Sequence, residues 1–186
     1  MRLLLVRHAQ TTAAEGLCYG RTDVPVEAER TRAAAARAAT ELPAGIAMAW
    51  SPLGRCADLA GAIAALRPDL QVLAPDPRLA EMDFGAWEGR PWSAIPRTEF
   101  EAWTRDFADG RAGGSGESTR VFMQRVGEAY DAWRDGGRDA VWITHSGVVR
   151  ALWLLREGRR CVARADQWPS ERIDFGALVA IDPAPA

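Results

Sequence analysis

The 186-residue sequence is 48% hydrophobic, enough to bury a sizeable core in one compact domain over 1–186 with room for a small insertion. Its 23 basic and 25 acidic side chains leave a formal net charge of -2, so no basic excess calls for a nucleic acid or an anionic membrane as partner. Every basic side chain is an arginine and lysine is missing, which excludes Schiff-base chemistry and a lysine-bearing phosphate loop.

The chain opens on Leu3-Leu4-Leu5-Val6, an apolar run without alternation that predicts a strand buried on both faces over 2–7. The run is far too short for a signal-peptide core or a membrane span, so a soluble cytoplasmic protein is expected. Residues 9–24 read as a long loop carrying Cys18-Tyr19-Gly20-Arg21-Thr22-Asp23. Pro25 then opens a helix to about Leu42, with Glu27 and Glu29 in its first turn. Pro43-Ala44-Gly45 breaks it. Residues 46–50 supply a second buried strand that ends in Ser51-Pro52-Leu53-Gly54-Arg55-Cys56. A helix over about 53–66 stops at Arg67-Pro68, and 71–74 is a third short strand.

From Glu81 the texture changes. Met82-Asp83-Phe84-Gly85-Ala86-Trp87-Glu88-Gly89 suits neither strand nor helix, and 91 to about 107 reads as an amphipathic helix anchored by Trp92, Phe100 and Trp103. Arg111-Ala112-Gly113-Gly114-Ser115-Gly116 is a flexible turn. A helix over 117–133 follows, with Val121, Phe122, Val126, Ala129 and Trp133 tracing its apolar face. A strand over 140–144, a helix to about Arg156 and a last strand over 177–181 complete the chain. Strands alternating with helices predict an α/β protein, a three-layer α/β/α sandwich with a mainly parallel sheet. The stretch 82–117 is then a small helical, cap-like insertion over the strand ends. Three widely spaced cysteines, Cys18, Cys56 and Cys161, suit reduced thiols rather than a disulfide framework or zinc cluster.

The chain has only two histidines, His8 and His145, and each stands where a predicted strand runs out. Chemistry in open α/β sheets collects at those carboxyl ends. Two imidazoles there, one beside Arg7, predict a shared anion site, most simply for a phosphate ester. Arg7 can hold equatorial oxygens while His8 attacks, since a neighbouring guanidinium disfavours imidazolium and leaves a ring lone pair free. Arg55 lies in the first turn after the second strand, where it can fork onto the same phosphate or remain a solvated helix residue. The Ser51-Pro52 turn can offer backbone N–H groups to an anion. His145-Ser146-Gly147 repeats the strand-to-helix arrangement: His145 can donate to a phosphoryl oxygen or cap the helix, and Gly147 permits close approach. Glu81, beside Met82, Phe84 and Trp87, suits a general acid, with Asp83 and Glu88 as competitors. Trp87 and Trp92 read as core. Tyr19, Gly20 and Arg21 lie on the loop expected over the site, where Arg21 either meets a second polar group of the substrate or pairs with Asp23.

Taken together these segments resemble the histidine phosphatase superfamily, also called phosphoglycerate mutase-like. Leu5-Val6-Arg7-His8-Ala9-Gln10-Thr11 resembles its RHG-x-T signature, Ser51-Pro52-Leu53-Gly54-Arg55-Cys56 its S-P-L-x-R segment, 81–89 its acid segment, and Thr144-His145-Ser146-Gly147 its second histidine motif. The resemblance implies a phosphohistidine at His8, phosphate contacts from Arg7, Arg55 and His145, proton donation by Glu81, and no metal or other cofactor. Further substrate contacts are expected from Thr11, Tyr19, Gly20, Arg21 and Ser146. Ala9 replaces the usual glycine and Gln10 the frequent glutamate. Ala14 stands where many members hold phosphate with asparagine, so Thr11 or a backbone group would supply that contact.

The loop from Gly16 to Pro25 resembles α-ribazole phosphatase-like members, which serve cobalamin nucleotide-loop assembly, although broad-specificity phosphomonoesterases share such loops. The expected partner is thus a small phosphorylated metabolite, with α-ribazole 5'-phosphate as one candidate, and monomer and homodimer both stay open. Three alternatives stand beside the phosphomonoesterase: a phosphoglycerate mutase-like enzyme, a metal hydrolase using His8, His145, Asp83 and Glu81, and a noncatalytic binder of phosphorylated ligands.

Overall fold

In the computed structural model, which describes residues 1–182, five strands form one sheet; the end of the expected domain, 183–186, lies outside the described residues. The strands are β1 (Leu3–Arg7), β2 (Ala47–Trp50), β3 (Gln71–Val72), β4 (Ala140–Thr144) and β5 (Leu178–Ile181), in the order β3-β2-β4-β1-β5. The first four are parallel, and β5 closes the edge antiparallel to β1.

Alternation along each strand divides the core in two. Leu3, Leu5, Ala49 and Trp142 face one side, where they meet α4 (Thr119–Gly136) and α5 (Ser146–Arg156). Leu4, Val6, Met48, Val141 and Ile143 face the other, against α1 (Ala28–Glu41) and α2 (Gly54–Leu66). Both faces are covered, which explains why these strands read as unbroken apolar runs. Leu3, Leu5 and Val6 are wholly excluded from solvent, each contributing roughly 2 kcal/mol of burial before entropy is counted.

Several boundaries differ from expectation. The first helix starts at Ala28 rather than Pro25, because Thr11 and Val26 form an isolated antiparallel bridge and Glu27 N–H donates to Gln10 O at 3.1 Å. The helix expected over 91–107 is split into a 3-10 turn, Trp92–Ala94, and α3 (Arg97–Arg105). Pro96 divides them, since it lacks an N–H and holds Ile95 extended. α4 begins after Ser118, whose hydroxyl accepts from Val121 N–H at 3.3 Å, and ends at Gly137 in the left-handed region, φ 65°. Its buried face includes Phe122, Val126, Ala129 and Trp133 as expected, but Val121 is 51% exposed and Met123 and Tyr130 are buried instead.

Between β3 and α4 the chain runs through short 3-10 turns and α3. Among the described residues no helix is long and apolar enough to cross a membrane. Cys18 and Cys56 are buried free thiols, and Cys161 is a half-buried one.

Candidate active site

β1 and β4 are neighbours in register, with Arg7 opposite Thr144. The next residue on each strand is a histidine, and His8 N–H extends the ladder to Thr144 O at 2.9 Å. Sheet geometry alone therefore delivers both imidazoles to one edge, with ring centroids 5.2 Å apart. Ser51 follows β2 on the other side of β4, its N–H donating to Ile143 O at 3.0 Å. The ends of three adjacent strands form the floor of the site.

His8 is buried, and its Nδ1–H donates to the Ala9 carbonyl at 2.8 Å. A carbonyl can only accept, so the neutral ring keeps its lone pair on Nε2. Burial, then the charges of Arg55 and Arg7, push the His8 pKa down to about 3. The predicted guanidinium effect is present, but loss of water is the larger cause. His145 is wholly buried and likewise held well below the ordinary imidazole range, first by burial and then by His8 and Arg55. Its Nε2 lies 2.8 Å from Ser51 Oγ and 3.5 Å from Cys56 Sγ.

Arg7 stacks on Phe175, with Cζ 3.8 Å from the ring centroid, and donates through Nη1 to the Ile173 carbonyl. Arg55, 1% exposed, reaches from α2 to the Thr22 carbonyl at 2.8 Å and to the Gly20 carbonyl, and faces the Tyr19 ring at 5.4 Å. It is no solvated helix residue. The two guanidinium groups are held by main-chain carbonyls and aromatic faces, with no carboxylate at ion-pair distance among the described residues, although Glu81 acts on Arg7 from further off.

Glu81 is placed by α5. Its Oε2 accepts from Gly147 N–H at 3.0 Å and its Oε1 from Met82 N–H at 3.1 Å. A Cβ on residue 147 would stand 2.1 Å from Glu81 Oε1, so the glycine exists to admit this carboxylate at the helix N-terminus. Sequence reasoning read Gly147 as permitting close approach without naming Glu81 as the group that approaches. The N–H groups after Ser51 are also taken up within the protein: Gly54 N–H donates to Asp23 Oδ2 at 2.9 Å, and Leu53 N–H approaches Ser51 Oγ at 3.4 Å.

The competing acids have other partners. Glu88 accepts from Gly20, Arg21, Thr22 and Phe84 N–H groups at 3.0–3.1 Å. Burial alone would raise its pKa, but these bonds outweigh it and hold the carboxyl below its usual range. Asp83 accepts from Gly85 N–H at 2.8 Å and lies 3.8 Å from Arg21 Nη1.

A cleft of about 910 Å³ opens above this floor. Arg7, His8, Thr11, Tyr19, Arg55, Glu81 and Ser146 line it. His145 does not; it backs the His8 ring from beneath. Thr11 and Tyr19 are joined through their hydroxyls at 3.1 Å. Gly20 and Arg21 are not among the lining residues. The Glu88 clasp draws their main chain onto the 82–88 segment, where a Cβ on residue 20 would overlap Met82 O at 1.7 Å. Arg21 then points to Asp83 rather than to Asp23 or the cleft.

A family model described as histidine phosphatase superfamily (branch 1) matches residues 3–166. The chain belongs to the histidine phosphatase superfamily. The crystal structure of TTHB049 from Thermus thermophilus is similar at 34% identity and TM-score 0.70, covering 98% of this chain and 94% of that one. A crystal structure of phosphoglycerate mutase from the same organism is similar at 32% identity and TM-score 0.70, covering 98% and 93%. The α-ribazole phosphatase from Shigella flexneri matches at 26% identity and TM-score 0.79, covering 98% and 90%. No curated protein matches the chain.

Some supports of this histidine phosphatase site escaped sequence reasoning. Phe175, with its ring 5.5 Å from His8, and the Ile173 carbonyl sit in an irregular segment without pattern. Arg125 on α4 donates to the carbonyls of Arg78, Ala80 and Glu81 at 2.7–3.0 Å and pairs with Glu117 at 2.7 Å, bracing the chain that carries the candidate acid. Its partners are main-chain atoms distant in sequence, so no spacing announces it. The S-P-L-x-R resemblance did include Ser51, but not its contact with His145.

Proposed function

We propose that the protein is a phosphomonoesterase that works through a phosphohistidine at His8. The observation that carries this reading is the His8 ring itself: it is neutral, with Nδ1–H tied to Ala9, and it lines a cleft between two guanidinium groups. In the first step His8 Nε2 attacks phosphorus, a P–N bond forms, and the P–O bond to the alcohol breaks. Arg7 and Arg55 hold the equatorial oxygens, and His145 flanks the phosphorylated ring. Glu81 gives its proton to the leaving oxygen. In the second step Glu81 takes a proton from water, the water oxygen attacks phosphorus, and the P–N bond breaks to release orthophosphate. Thr11, Tyr19 and Ser146 complete the wall of the phosphate end.

The substrate proposed is a small phosphorylated metabolite, with α-ribazole 5'-phosphate first to be tried. The resemblance of the 16–25 loop and the similarity to the Shigella flexneri protein support that choice. Three unpaired cysteines, two of them buried, suit a reducing compartment such as the cytoplasm.

Reaction with labelled phosphoester, quenched in alkali, tests the mechanism. Label retained in base, released by acid and lost in His8→Ala is the expected result. Label retained in His8→Ala but lost in His145→Ala would transfer the nucleophile to the second ring. Abolition of turnover by a chelator would favour a metal hydrolase, binding without turnover of any ester a noncatalytic binder, and conversion of 3- to 2-phosphoglycerate the mutase.

A further inference from the structure

The phosphate end occupies only part of the cleft. Phe84, Trp92, Phe100 and Trp103 also line it, and these four surround a side hollow of about 600 Å³ that Ile95 and Arg97 complete. Trp92 and Phe100 are 37% and 41% exposed, among the largest apolar side chains left open to solvent. The four rings form a built wall: Phe84 meets Trp92 edge-on at 5.2 Å, Trp92 meets Phe100 at 6.4 Å, and Phe100 meets Trp103 at 5.8 Å. Trp87, buried behind them, is fixed by its Nε1–H donating to Glu99 Oε2 at 2.9 Å. Rings held this way present faces at little cost in side-chain entropy, and such faces favour stacked or edge-on aromatic partners. An open aromatic patch joined to a polar, cationic pocket has the form of a small-molecule site with two chemistries.

We propose that this wall is the leaving-group subsite, and that it takes the flat aromatic ring of an alcohol whose phosphate lies at His8. The inference rests on the phosphoester reading above, and it names Trp92 and Phe100 as specificity-determining residues. Sequence reasoning left Trp92 in the core. The occupant follows from continuity: one cleft runs from the guanidinium pair to the rings, so a single ligand with an anionic end and an apolar flat end fills both.

Calorimetry with non-hydrolysable phosphonates tests this separately from turnover. The probes are propylphosphonate, hexylphosphonate as an aliphatic control of similar area, and phenylalkylphosphonates with linkers of increasing length. The best phenylalkyl probe is expected to bind about tenfold more tightly than the hexyl probe. That ratio falls toward one in Trp92→Ala and in Phe100→Ala, the latter a substitution on an exposed helix face. Equal binding of hexyl and phenylalkyl probes overturns the proposal, as does a preference that survives in both variants with native circular dichroism. A self-association that Phe100→Ala abolishes also overturns it, since a second copy would then cover the face. If the phenylalkyl preference holds while no ester is turned over, the subsite stands and the phosphomonoesterase reading falls. If esters turn over without the preference, the reverse holds.

Discussion

Lowering the pH in phosphate-free buffer charges His8 in the unfolded chain long before it charges the folded one. The buried ring titrates at about 3, against 6.5 for an ordinary imidazole. Above 6.5 neither state binds the proton and His8 has no effect on stability. As the pH falls below 6.5 only the unfolded state takes it up, so stability is lost until the folded value is reached. Between about pH 7.5 and pH 5 this one ring removes roughly 2 kcal/mol. His145 acts in the same direction. Urea unfolding across that range measures the total, and His8→Gln isolates the share of His8: the variant should lose roughly 2 kcal/mol less than the parent over the same interval. The chain has only two histidines, so imidazole carbon resonances give two titration curves without overlap. A midpoint near 6.5 for His8, or a His8→Gln variant as acid-sensitive as the parent, would refute the reasoning.

Glu81→Gln keeps one acceptor oxygen for Gly147 N–H at the α5 end, gives up the bond from Met82 N–H, and removes the transferable proton, so kcat for an alkyl phosphate should fall about a hundredfold or more with inorganic phosphate still bound; steady-state kinetics and calorimetry check both halves. Ser51→Ala leaves His145 Nε2 without its hydroxyl partner and should lower kcat by about tenfold, with Ser51→Thr restoring part of it; an unchanged kcat would remove Ser51 from the positioning of the second ring. Glu88→Gln breaks a charge-assisted clasp on four backbone N–H groups and should cost roughly 2–3 kcal/mol in urea unfolding at neutral pH. The folded Glu88 carboxyl lies below its ordinary range, so its stabilisation is present above about pH 4.5 and is lost as the pH falls through the folded value; the acid limb of the variant should be correspondingly shallower.

The sheet was legible because every central strand is covered on both sides and so forms an unbroken apolar run, as in Leu3–Val6 and Val141–Ile143. The histidines were legible for the same reason: each follows such a run, and parallel pairing of β1 with β4 converts equal positions in the sequence pattern into neighbours in space. Helix ends were less so. Pro25 looked like a helix start, but the bridge between Thr11 and Val26 claims that segment first, and one proline at 96 outweighs the amphipathic pattern running through it. Roles fixed by main-chain partners were hidden. Glu88, Arg125 and Gly147 each answer to atoms many residues away, and composition around them carries no trace of that. The same holds for Trp92, whose pattern resembles a core tryptophan and whose exposure depends on how the irregular 82–96 segment lies.

The position of β1 has a consequence for biogenesis. It is seated between β4 and β5, which are synthesised more than 130 residues after it. Leu3 to Val6 therefore have no edge to join while the segment up to residue 140 is being made, and His8 stays apart from His145 for that whole interval. Pairings this distant along the chain form slowly and leave sticky segments open in the meantime. A nascent chain halted before residue 140 should accordingly remain bound to chaperones and protease-sensitive, and the appearance of β4 and β5 should set the moment at which the cleft forms.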